Sequence, residues 1–391
     1  MTMVTLSDVT KIVTKGTTPT TLGMAFQDGG IPFIRVNNIQ NKVLNFTDDV
    51  LYIDGQTHEK LSRSIIKPKD VLISIAGSIG RSCVVPDNAP DLNCNQAVCI
   101  IRCNIEKILP EYLSYWLGSE IARSQISNSK VTGVIQNLSL TQVKALKIDL
   151  PPLAEQCRIA SILDKAYELR QKRQQATEKL DQLLLATFID MFGDPVSNPK
   201  GWVKEKMDTL MTIVRGGSPR PIENFLGGNY PWIKIGDATK GDDLFITKTK
   251  EAITKEGLHK TRLLPEGSVI FANCGVSLGF ARILKIQGCI HDGWLAFQDI
   301  NEDKVHKLFL LKALNSITQY FRDTAPDGTQ PNLNTTIMKN FELILPPMEL
   351  QLKFITVVEL IEKQKKMLDT SKTEVSNLFK SLQNQAFSGN L

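Results

Sequence analysis

The feature that most constrains the fold of this 391-residue chain is an internal repeat with a shift of about half its length. The segment LPPLAEQ at residues 150–156 recurs as LPPMELQ at residues 345–351, a shift of 195 residues. Nearer the N-terminus, KGTTP at residues 15–19 corresponds to RGGSP at residues 215–219. Because matching segments occur in the same order in both halves, the sequence predicts two copies of one structural unit.

Each copy of the LPP segment precedes a long amphipathic stretch. Its apolar or small residues recur at alternating spacings of three and four, the heptad period of a coiled-coil seam. The first stretch predicts a helix of about 32 residues from Gln156 to Thr187, roughly 48 Å long. Adding 195 to the number of each seam residue in the first stretch gives the same heptad register in the second stretch. We therefore expect the two helices to pair, and antiparallel pairing lets the second helix return toward the first repeat. The predicted seam residues are Ile159, Ile162, Ala166, Leu169, Arg173, Ala176, Leu180, Leu183, Phe354, Val357, Ile361, Gln364, Leu368, Val375, Leu378 and Leu382.

The segment before each predicted helix alternates short runs of β-branched or aromatic residues with glycine, proline and asparagine. Such runs are typical of strands bounded by turns. The predicted fold class is α+β: two α/β heads, each with a mostly antiparallel sheet, separated by two long helices that form an antiparallel coiled coil in a pseudo-twofold internal repeat. The predicted divisions are residues 1–152 for the first head, 153–195 for the central helix, 196–347 for the second head and 348–391 for the C-terminal helix. Predicted strands are 71–75, 97–101, 146–150, 269–272, 294–298 and 343–345, with helices at 111–124 and 307–321.

Polar and basic side chains are concentrated in the predicted loops of both heads. Arginine, lysine, asparagine, glutamine and serine hydrogen-bond to base edges in the major groove, and the cationic side chains also neutralise phosphates. The loops differ between the heads: RVNN at residues 35–38 corresponds to KIGD at residues 234–237. Changed loops on a shared scaffold are what recognition of two different short sequences requires. The predicted DNA contacts are Lys15, Thr17, Thr18, Arg35, Asn37, Asn38, Ser78, Arg81, Lys130 and Gln136 in the first head, and Arg215, Ser218, Arg220, Lys234, Asp237, Lys240, Asn273 and Gln330 in the second.

Composition indicates an ordinary folded protein without a membrane span. Hydrophobic residues make up 42% of the chain and charged residues 22%, which is enough for sizeable cores. No apolar run approaches the roughly 20 residues that cross a bilayer. The N-terminus lacks the pattern of a secretory signal, so we expect a cytoplasmic location. The net charge of +5 permits nucleic acid as a partner without requiring it.

Motifs for catalysis, metal binding or cofactor binding are absent from the sequence. It contains no GxxxxGKS/T phosphate loop and no strand–GxGxxG–helix arrangement. The four histidines form no HExxH pair. Cys94, Cys99 and Cys103 lack the usual spacing of zinc ligands, and we interpret them as small hydrophobic residues. The sequence therefore predicts no catalytic residue, no metal ligand and no cofactor in this chain.

The order of head, LPP junction and long helix, repeated once, resembles the DNA specificity subunit of type I restriction-modification systems. The strings that carry the resemblance are GTTP at 16–19, IAGSIG at 75–80, ATFIDMFGDP at 186–195 and FSGNL at 387–391. The resemblance implies that each head is a target recognition domain for one half of a bipartite, asymmetric site in double-stranded DNA. It also implies that the helices set the spacer between the two half-sites.

The same resemblance implies partner subunits that carry the chemistry. Methyltransferase (modification) subunits would dock on the helices and methylate adenine with S-adenosylmethionine. Restriction/translocase subunits would join them and use ATP and Mg to translocate and cut DNA. The specificity subunit itself would be non-catalytic.

Two other classes of function stay open on the residues alone. One is a two-headed coiled-coil protein scaffold that does not recognise DNA. The other is an enzyme with a hidden nuclease or methyltransferase site. Sequence-selective, salt-dependent binding to duplex DNA distinguishes the specificity subunit from the scaffold, and methyl transfer by the purified chain alone would indicate the enzyme.

Overall fold

The chain divides into two compact units, and each combines a strand-rich segment with one end of each of two long helices. The first unit comprises Met1–Gln174 with Asp369–Leu391, and the second unit comprises Gln175–Leu368. This division cuts both long helices, so the predicted head and helix boundaries stay a prediction. The computed structural model describes residues 2–128, 137–239, 244–325 and 332–391.

The two long helices have 40 residues each: the central helix, Leu153–Phe192, and the C-terminal helix, Met348–Phe387. The central helix is longer than predicted because it starts directly after Pro152, where proline is tolerated. It ends at Gly193, whose left-handed φ of 76° suits a helix terminus and whose N–H donates to the Ile189 carbonyl at 2.8 Å. Among the described residues, no helix is both long and apolar enough to cross a bilayer.

Within the first unit, the two long helices run in opposite directions. The Arg158 guanidinium donates to the carbonyl oxygen of Leu391 at 2.8 Å. Nine positions further along the central helix, the Tyr167 ring lies 6.5 Å from the ring of Phe379. Residue numbers therefore rise along one helix as they fall along the other.

The second unit shows the same antiparallel direction. The Lys365 ammonium lies 2.8 Å from the Asp181 carboxylate, and further along the central helix the Phe188 ring lies 5.4 Å from the ring of Phe354. The predicted antiparallel pairing of the two helices is confirmed.

The buried face of the long helices differs from the predicted heptad seam. Each helix packs on the strands and short helices of its unit as well as on the other helix, so its buried face is wider than a seam and follows the 3.6-residue turn. Leu184 and Phe379, each one position beyond a predicted seam residue, are buried. Four predicted seam residues are wrong because they are exposed: Leu169, Leu183, Gln364 and Leu378. The others are buried (Ile159, Phe354, Ile361, Val375) or half-buried (Ile162, Ala166, Arg173, Ala176, Leu180, Val357, Leu368, Leu382).

Short β-sheets of mainly antiparallel strands form the rest of the first unit. The first sheet pairs Thr2–Thr5 with Lys147–Leu150, and a hairpin pairs Ile39–Gln40 with Val43–Leu44. The strand order of the second sheet is Leu51–Ile53, Ile31–Ile34, Leu92–Cys94 and Ile65–Ile66. The strand order of the third sheet is Thr10–Lys15, Val98–Cys103, Val71–Ser74 and Ser82–Val84. The short helices are Leu6–Val9, Pro19–Leu22, Val36–Asn38, Gly55–Lys60, Ser62–Ser64, Pro110–Leu117, Glu120–Asn128 and Leu140–Ala145.

The second unit repeats this plan with five strands in one sheet and, among its described residues, without the two-stranded hairpin. The first sheet pairs Val203–Lys206 with Glu342–Leu345. The strand order of the second sheet is Thr212–Arg215, Trp294–Gln298, Val269–Ala272, Ala281–Leu284 and Phe245–Ile246. The strand order of the third sheet is Glu251–Ile253, Leu226–Ile233, Gly288–Ile290 and Arg262–Leu264. The short helices are Met207–Leu210, Ile222–Phe225, Ile235–Ala238, Lys255–Lys260, Gly275–Ser277, Lys307–Ser316, Thr318–Thr324 and Thr335–Asn340. Each single helix predicted within a head is thus two consecutive helices.

A buried glutamine fixes the start of the central helix in the first unit. The Gln156 amide nitrogen donates to the carbonyls of Lys107 and Pro151, both at 2.9 Å, and its amide oxygen accepts from the Leu109 N–H at 2.9 Å. Three backbone groups are satisfied by one side chain that has no exposed surface. This explains why the LPP segment carries a glutamine four positions after its second proline.

The second unit repeats this arrangement with Gln351. Its amide nitrogen donates to the carbonyls of Lys304 and Pro346, both at 2.9 Å, and its oxygen accepts from the His306 N–H at 2.9 Å. The repeat is therefore conserved at the level of individual hydrogen bonds.

An aromatic cluster joins both long helices to the strand-rich part of the second unit. Phe188 and Phe192 of the central helix, Phe354 of the C-terminal helix and Phe309 all lie in one buried core. Their ring centroids are 4.9–5.9 Å apart in the contacting pairs. Edge-to-face and tilted rings at these distances are favourable packing geometries.

Candidate nucleic-acid interface

In the first unit, the loop that begins at Gly16 is anchored to the end of a parallel strand pair. The N–H of Gly16 donates to the Val98 carbonyl at 3.1 Å, and the N–H of Thr17 donates to the Cys94 carbonyl at 3.2 Å. A Cβ on Gly16 would lie 2.1 Å from the Cys94 oxygen. Glycine is therefore required for this close approach of two backbones.

The second unit builds the corresponding loop in the same way. The N–H of Gly216 donates to the Trp294 carbonyl at 2.9 Å, and the N–H of Gly217 donates to the Ile290 carbonyl at 3.1 Å. A Cβ on Gly216 would lie 2.2 Å from the His291 oxygen. The two units thus present loops of equivalent backbone geometry.

The side chains on these equivalent loops differ. In the first unit, the Thr18 hydroxyl donates to the Gln96 side-chain oxygen, and Lys15 is exposed at the end of its strand. At the matching place in the second unit, the Asp292 N–H lies 3.5 Å from the Ser218 hydroxyl oxygen. The residue next to the Thr18 hydroxyl in the first unit thus carries a neutral amide, whereas the residue next to the Ser218 hydroxyl in the second unit carries a carboxylate.

Two arginines in the second unit contact Asp292. The Arg215 Nε donates to its carbonyl oxygen at 2.8 Å, and Arg220 Nη2 lies 3.4 Å from its carboxylate. Burial favours the neutral form of the Asp292 carboxyl, but His291, Ser218 and the two arginines outweigh it and lower the pKa. The Asp292 carboxylate therefore pairs with Arg220, while its backbone carbonyl holds Arg215.

His291 lies beside this carboxylate. Its Nε2 is 3.0 Å from Asp292 Oδ1, and its ring lies 5.8 Å from the ring of Trp232. Burial is the main cause that lowers the pKa of His291, and the nearby cations Lys234, Arg220 and Arg215 act in the same direction. Neutral imidazole is thus favoured at this place.

A cleft of about 730 Å³ opens next to these residues. Its lining residues present cationic, carboxylate, imidazole and indole side chains on one concave surface. Such a mixture suits hydrogen bonding to polar edges combined with stacking. The residues lining it include Ser218, Pro219, Arg220, Ile222, Trp232, Lys234, Glu251 and His291.

Asn38 and Asp237 were predicted as DNA contacts at equivalent repeat positions. The prediction is wrong for Asn38, which is buried and supports the backbone, and stays a prediction for Asp237, which is half-buried. Asn38 is 2% exposed, and its Oδ1 accepts from the Arg35 N–H at 2.8 Å. Asp237 accepts from the Lys234 N–H at 2.9 Å and from the Lys250 N–H at 3.1 Å. Both side chains stabilise a helical turn after an equivalent strand.

Asn273 is also wrong as a DNA contact. Its side chain has no exposed surface, and its amide nitrogen donates to the Leu333 carbonyl and to the Asn332 side-chain oxygen, each at 3.2 Å. It joins two segments inside the second unit.

Two of the basic residues at strand ends, Arg35 and Lys234, already have acidic partners. Arg35 lies 3.4 Å from the Asp49 carboxylate, and Lys234 pairs with Glu251. Contact of either cation with DNA would require it to share or exchange this partner. Lys15, Asn37, Ser78 and Arg81 have exposed side chains, Thr17 and Thr18 are half-buried, and Lys130, Gln136, Lys240 and Gln330 lie outside the described residues.

Sequence reasoning missed Gln96, His291 and Asp292. They follow the strands Leu92–Cys94 and Gly288–Ile290, each of which lies parallel to a strand of its sheet. The sequence gives little signal for them: NQA at residues 95–97 and HDG at residues 291–293 follow equivalent strands, but those strands share no identical residue at matching positions.

The cysteines of the first unit lie in its core. Cys83, Cys94, Cys99 and Cys103 are buried, and burial raises the pKa of each thiol. Within the described part of the chain, no group of three or more histidine, cysteine, aspartate or glutamate residues has the arrangement to hold a metal ion.

Comparison with known proteins identifies the family. The family model for the type I restriction modification DNA specificity domain matches residues 1–180 and 199–375, one match in each repeat. The Type I restriction enzyme EcoKI specificity subunit of Escherichia coli (strain K12) is 24% identical over 402 residues, covering 93% of this chain and 83% of that protein. The Type I restriction enzyme MjaIX specificity subunit of Methanocaldococcus jannaschii is 24% identical over 387 residues, covering 91% and 87%.

A solved structure has the same fold. It comes from work on the structural basis of complex assembly and conformational transition of the type I R-M system. The match has a TM-score of 0.64 at 20% sequence identity and covers 100% of this chain and 98% of the solved chain.

The chain belongs to the family of type I restriction modification DNA specificity domains. The family predicted from the repeated junctions is therefore confirmed, together with the two-headed fold and the function of a DNA specificity subunit.

Proposed function

We propose that the protein recognises a bipartite, asymmetric site in double-stranded DNA, with the first unit contacting one half-site and the second unit the other. The observation that carries this proposal is the pair of equivalent loops with different side chains. Thr18 contacts Gln96 of the adjoining segment in one unit, and Ser218 contacts Asp292 of the adjoining segment in the other. An equivalent backbone with changed hydrogen-bonding groups supports recognition of two different base sequences.

The chemistry of these side chains fits base edges in the major groove. Glutamine can donate to and accept from adenine, arginine can donate twice to guanine, and aspartate accepts from the cytosine amino group. Gln96 therefore fits adenine, Arg220 fits guanine and Asp292 fits the cytosine amino group. The side chain of Arg220 is 80% exposed, so it can reach a ligand without leaving Asp292.

The long helices fit the roles of spacer and docking surface for the methyltransferase (modification) subunits. Their packing leaves several large apolar side chains in solvent, which is a common property of surfaces that bind another protein. The exposed apolar residues of the two helices include Leu169, Leu183, Leu185, Ile189, Leu352, Leu360, Met367 and Leu378.

We further propose that the chain is non-catalytic and binds no cofactor itself. The methyltransferase subunits would supply S-adenosylmethionine chemistry, and restriction/translocase subunits would use ATP and Mg. The absence of a phosphate loop and of a GxGxxG arrangement in the sequence supports this division of work. Chromosomal DNA as the partner supports a cytoplasmic location.

The direct test is selection from a random duplex pool by the full-length chain with its modification subunit. We expect two conserved half-sites separated by an unread spacer of fixed length. Binding should weaken with salt because phosphate contacts release counterions. Enrichment of no sequence, with no salt dependence, would contradict the proposal and favour a protein scaffold. Methyl transfer by the purified chain alone would contradict the non-catalytic assignment.

A further inference from the structure

A cavity of about 220 Å³ in the first unit has strongly basic walls. The hairpin turn after Gln40, the loop before Ser82, the start of the helix Glu120–Asn128 and both long helices contribute to it. Of the described residues that line it, Glu120 is the acidic one. The five basic side chains that line it are Lys42, Arg81, Arg123, Arg170 and Lys380.

Lys42 is held in this cavity by a tight hairpin turn. Its ammonium lies 2.8 Å from the Ser114 carbonyl, 3.3 Å from the Ser114 hydroxyl and 4.4 Å from the centre of the Tyr115 ring. Asn41 and Lys42 have φ values of 48° and 57°, the left-handed pair of a two-residue hairpin turn. Lysine occupies the turn position that usually belongs to glycine, and this places its amino group in the cavity that four other basic side chains also line.

Aromatic and amide contacts hold the opposite wall. The Arg170 guanidinium lies 5.6 Å from the centre of the Tyr167 ring and 5.7 Å from that of Phe379. The Tyr167 hydroxyl donates to the Asn41 carbonyl, which joins the hairpin turn to the central helix. The Gln383 amide donates to the Tyr115 carbonyl at 2.8 Å. Lys42 and Arg170 are therefore held by these contacts, whereas Arg81, Arg123 and Lys380 are exposed.

The repeat supplies an internal comparison. The second unit has a cavity of about 390 Å³ at the corresponding place, and its lining includes Phe188, Phe280, two basic residues (Arg282 and Lys312) and Asp181. The 195-residue shift places Phe188 where the first unit has Gln383, and Phe280 takes the place of Arg81. Because the second cavity has two basic lining residues against five in the first, the larger basic set is a property of the first unit and is not required by the fold.

We propose that the basic cavity of the first unit binds a phosphate group. Charge-assisted hydrogen bonds from several arginine and lysine side chains are the chemistry that holds such an anion. A free phosphate and a phosphodiester of the DNA backbone both present anionic oxygens to these side chains, although the diester carries a single negative charge. The site stands on the geometry of the first unit and does not depend on sequence-specific DNA recognition.

The test is calorimetric titration of the full-length chain with sodium phosphate and with sodium sulfate, at ionic strength held constant with chloride. We expect one saturable site per chain for both anions. The double variant Arg123→Gln/Lys380→Gln should bind about a hundredfold more weakly, since each lost charge-assisted hydrogen bond weakens binding about tenfold. Lys42→Met should act in the same direction, and the control Lys363→Gln, on the exposed surface of the C-terminal helix, should leave binding unchanged.

A duplex of random sequence, added at saturation, identifies the source of the phosphate. If the duplex abolishes anion binding and the double variant weakens duplex binding, the site holds a backbone phosphate. If anion binding persists with duplex present, the site holds a free anion. No saturable binding, or equal binding by the wild type and the double variant, would overturn the proposal. Failure to enrich any DNA sequence would overturn the proposed function and leave this site intact.

Discussion

Gln156 and Gln351 show how single residues define this fold. Each buried amide satisfies three backbone groups where a strand-rich segment passes into a long helix. A buried polar group that loses its partner costs more than the hydrogen bond itself contributes. The junction motif was visible in the sequence, but the role of its glutamine was not, because the backbone groups that it contacts lie almost 50 residues away.

Gln156→Ala should lower the free energy of unfolding by at least about 2 kcal/mol, because it leaves one N–H and two carbonyl groups without partners. Chemical denaturation followed by circular dichroism measures this. Glu155→Ala is the matched control, since Glu155 pairs at the surface with Arg158 of its own helix, and little change is expected. Equal effects of both substitutions would contradict the role assigned to Gln156.

Lys42 should make stability depend on pH. Loss of water around the ammonium lowers its pKa from the ordinary 10.5 to about 7, with Arg123 acting in the same direction and Asp164 and Cys83 opposing it. Between these values the unfolded chain holds a proton that the folded chain has released, so stability rises with pH. The thermal midpoint of the wild type minus that of Lys42→Met should therefore increase from about pH 7 to about pH 10 in buffer without phosphate or sulfate. A constant difference would contradict the lowered pKa.

At the scale of elements, the two long helices were predictable and their buried faces were not. The three-and-four spacing predicts an amphipathic helix, and chain order predicts antiparallel pairing. One sequence does not distinguish contact with a partner helix from contact with the head. Leu183 was therefore assigned to the seam although Leu184 is the buried residue.

Phe354→Ala should cost about 3–5 kcal/mol of stability, the usual range for truncating a phenylalanine in a core. Phe354 lies within 5.4 Å of both Phe188 and Phe192. Leu352→Ala is the control on the same helix, because Leu352 is half exposed at 50%. Urea denaturation of the two variants tests the aromatic cluster, and a Phe354→Ala variant as stable as Leu352→Ala would rule it out as a main support.

The exposed face of the C-terminal helix should matter for assembly and not for folding. Leu360→Lys is expected to weaken binding of the modification subunit about tenfold or more, since burial of a leucine contributes about 1.5–3 kcal/mol. Its thermal midpoint should match that of the wild type, because Leu360 is 59% exposed. Asn377→Lys adds the same charge at an exposed polar position of this helix and should bind normally. Surface plasmon resonance with the immobilised modification subunit measures both, and equal affinities would contradict docking at Leu360.

At the scale of the whole molecule, the repeat combines a conserved scaffold with divergent surfaces. The scaffold was predictable because its glycines and junctions recur in order. The surfaces were predicted less well: Asn38 and Asn273 were assigned to DNA but are buried, while Gln96 and Asp292 were missed. Residue type alone does not distinguish a polar side chain that supports a turn from one that projects from it, because both uses favour asparagine and aspartate.

The central claim is that each unit recognises its own half-site. The most direct measurement is selection from a random duplex pool by the wild type, Gln96→Ala and Asp292→Ala, each assembled with the modification subunit and sequenced to equal depth. Gln96→Ala should relax base preference by about 1–3 kcal/mol in one half-site, and Asp292→Ala should do so only in the other half-site. If either substitution relaxes both half-sites equally while its thermal midpoint is unchanged, the two units do not recognise DNA independently and the account is contradicted.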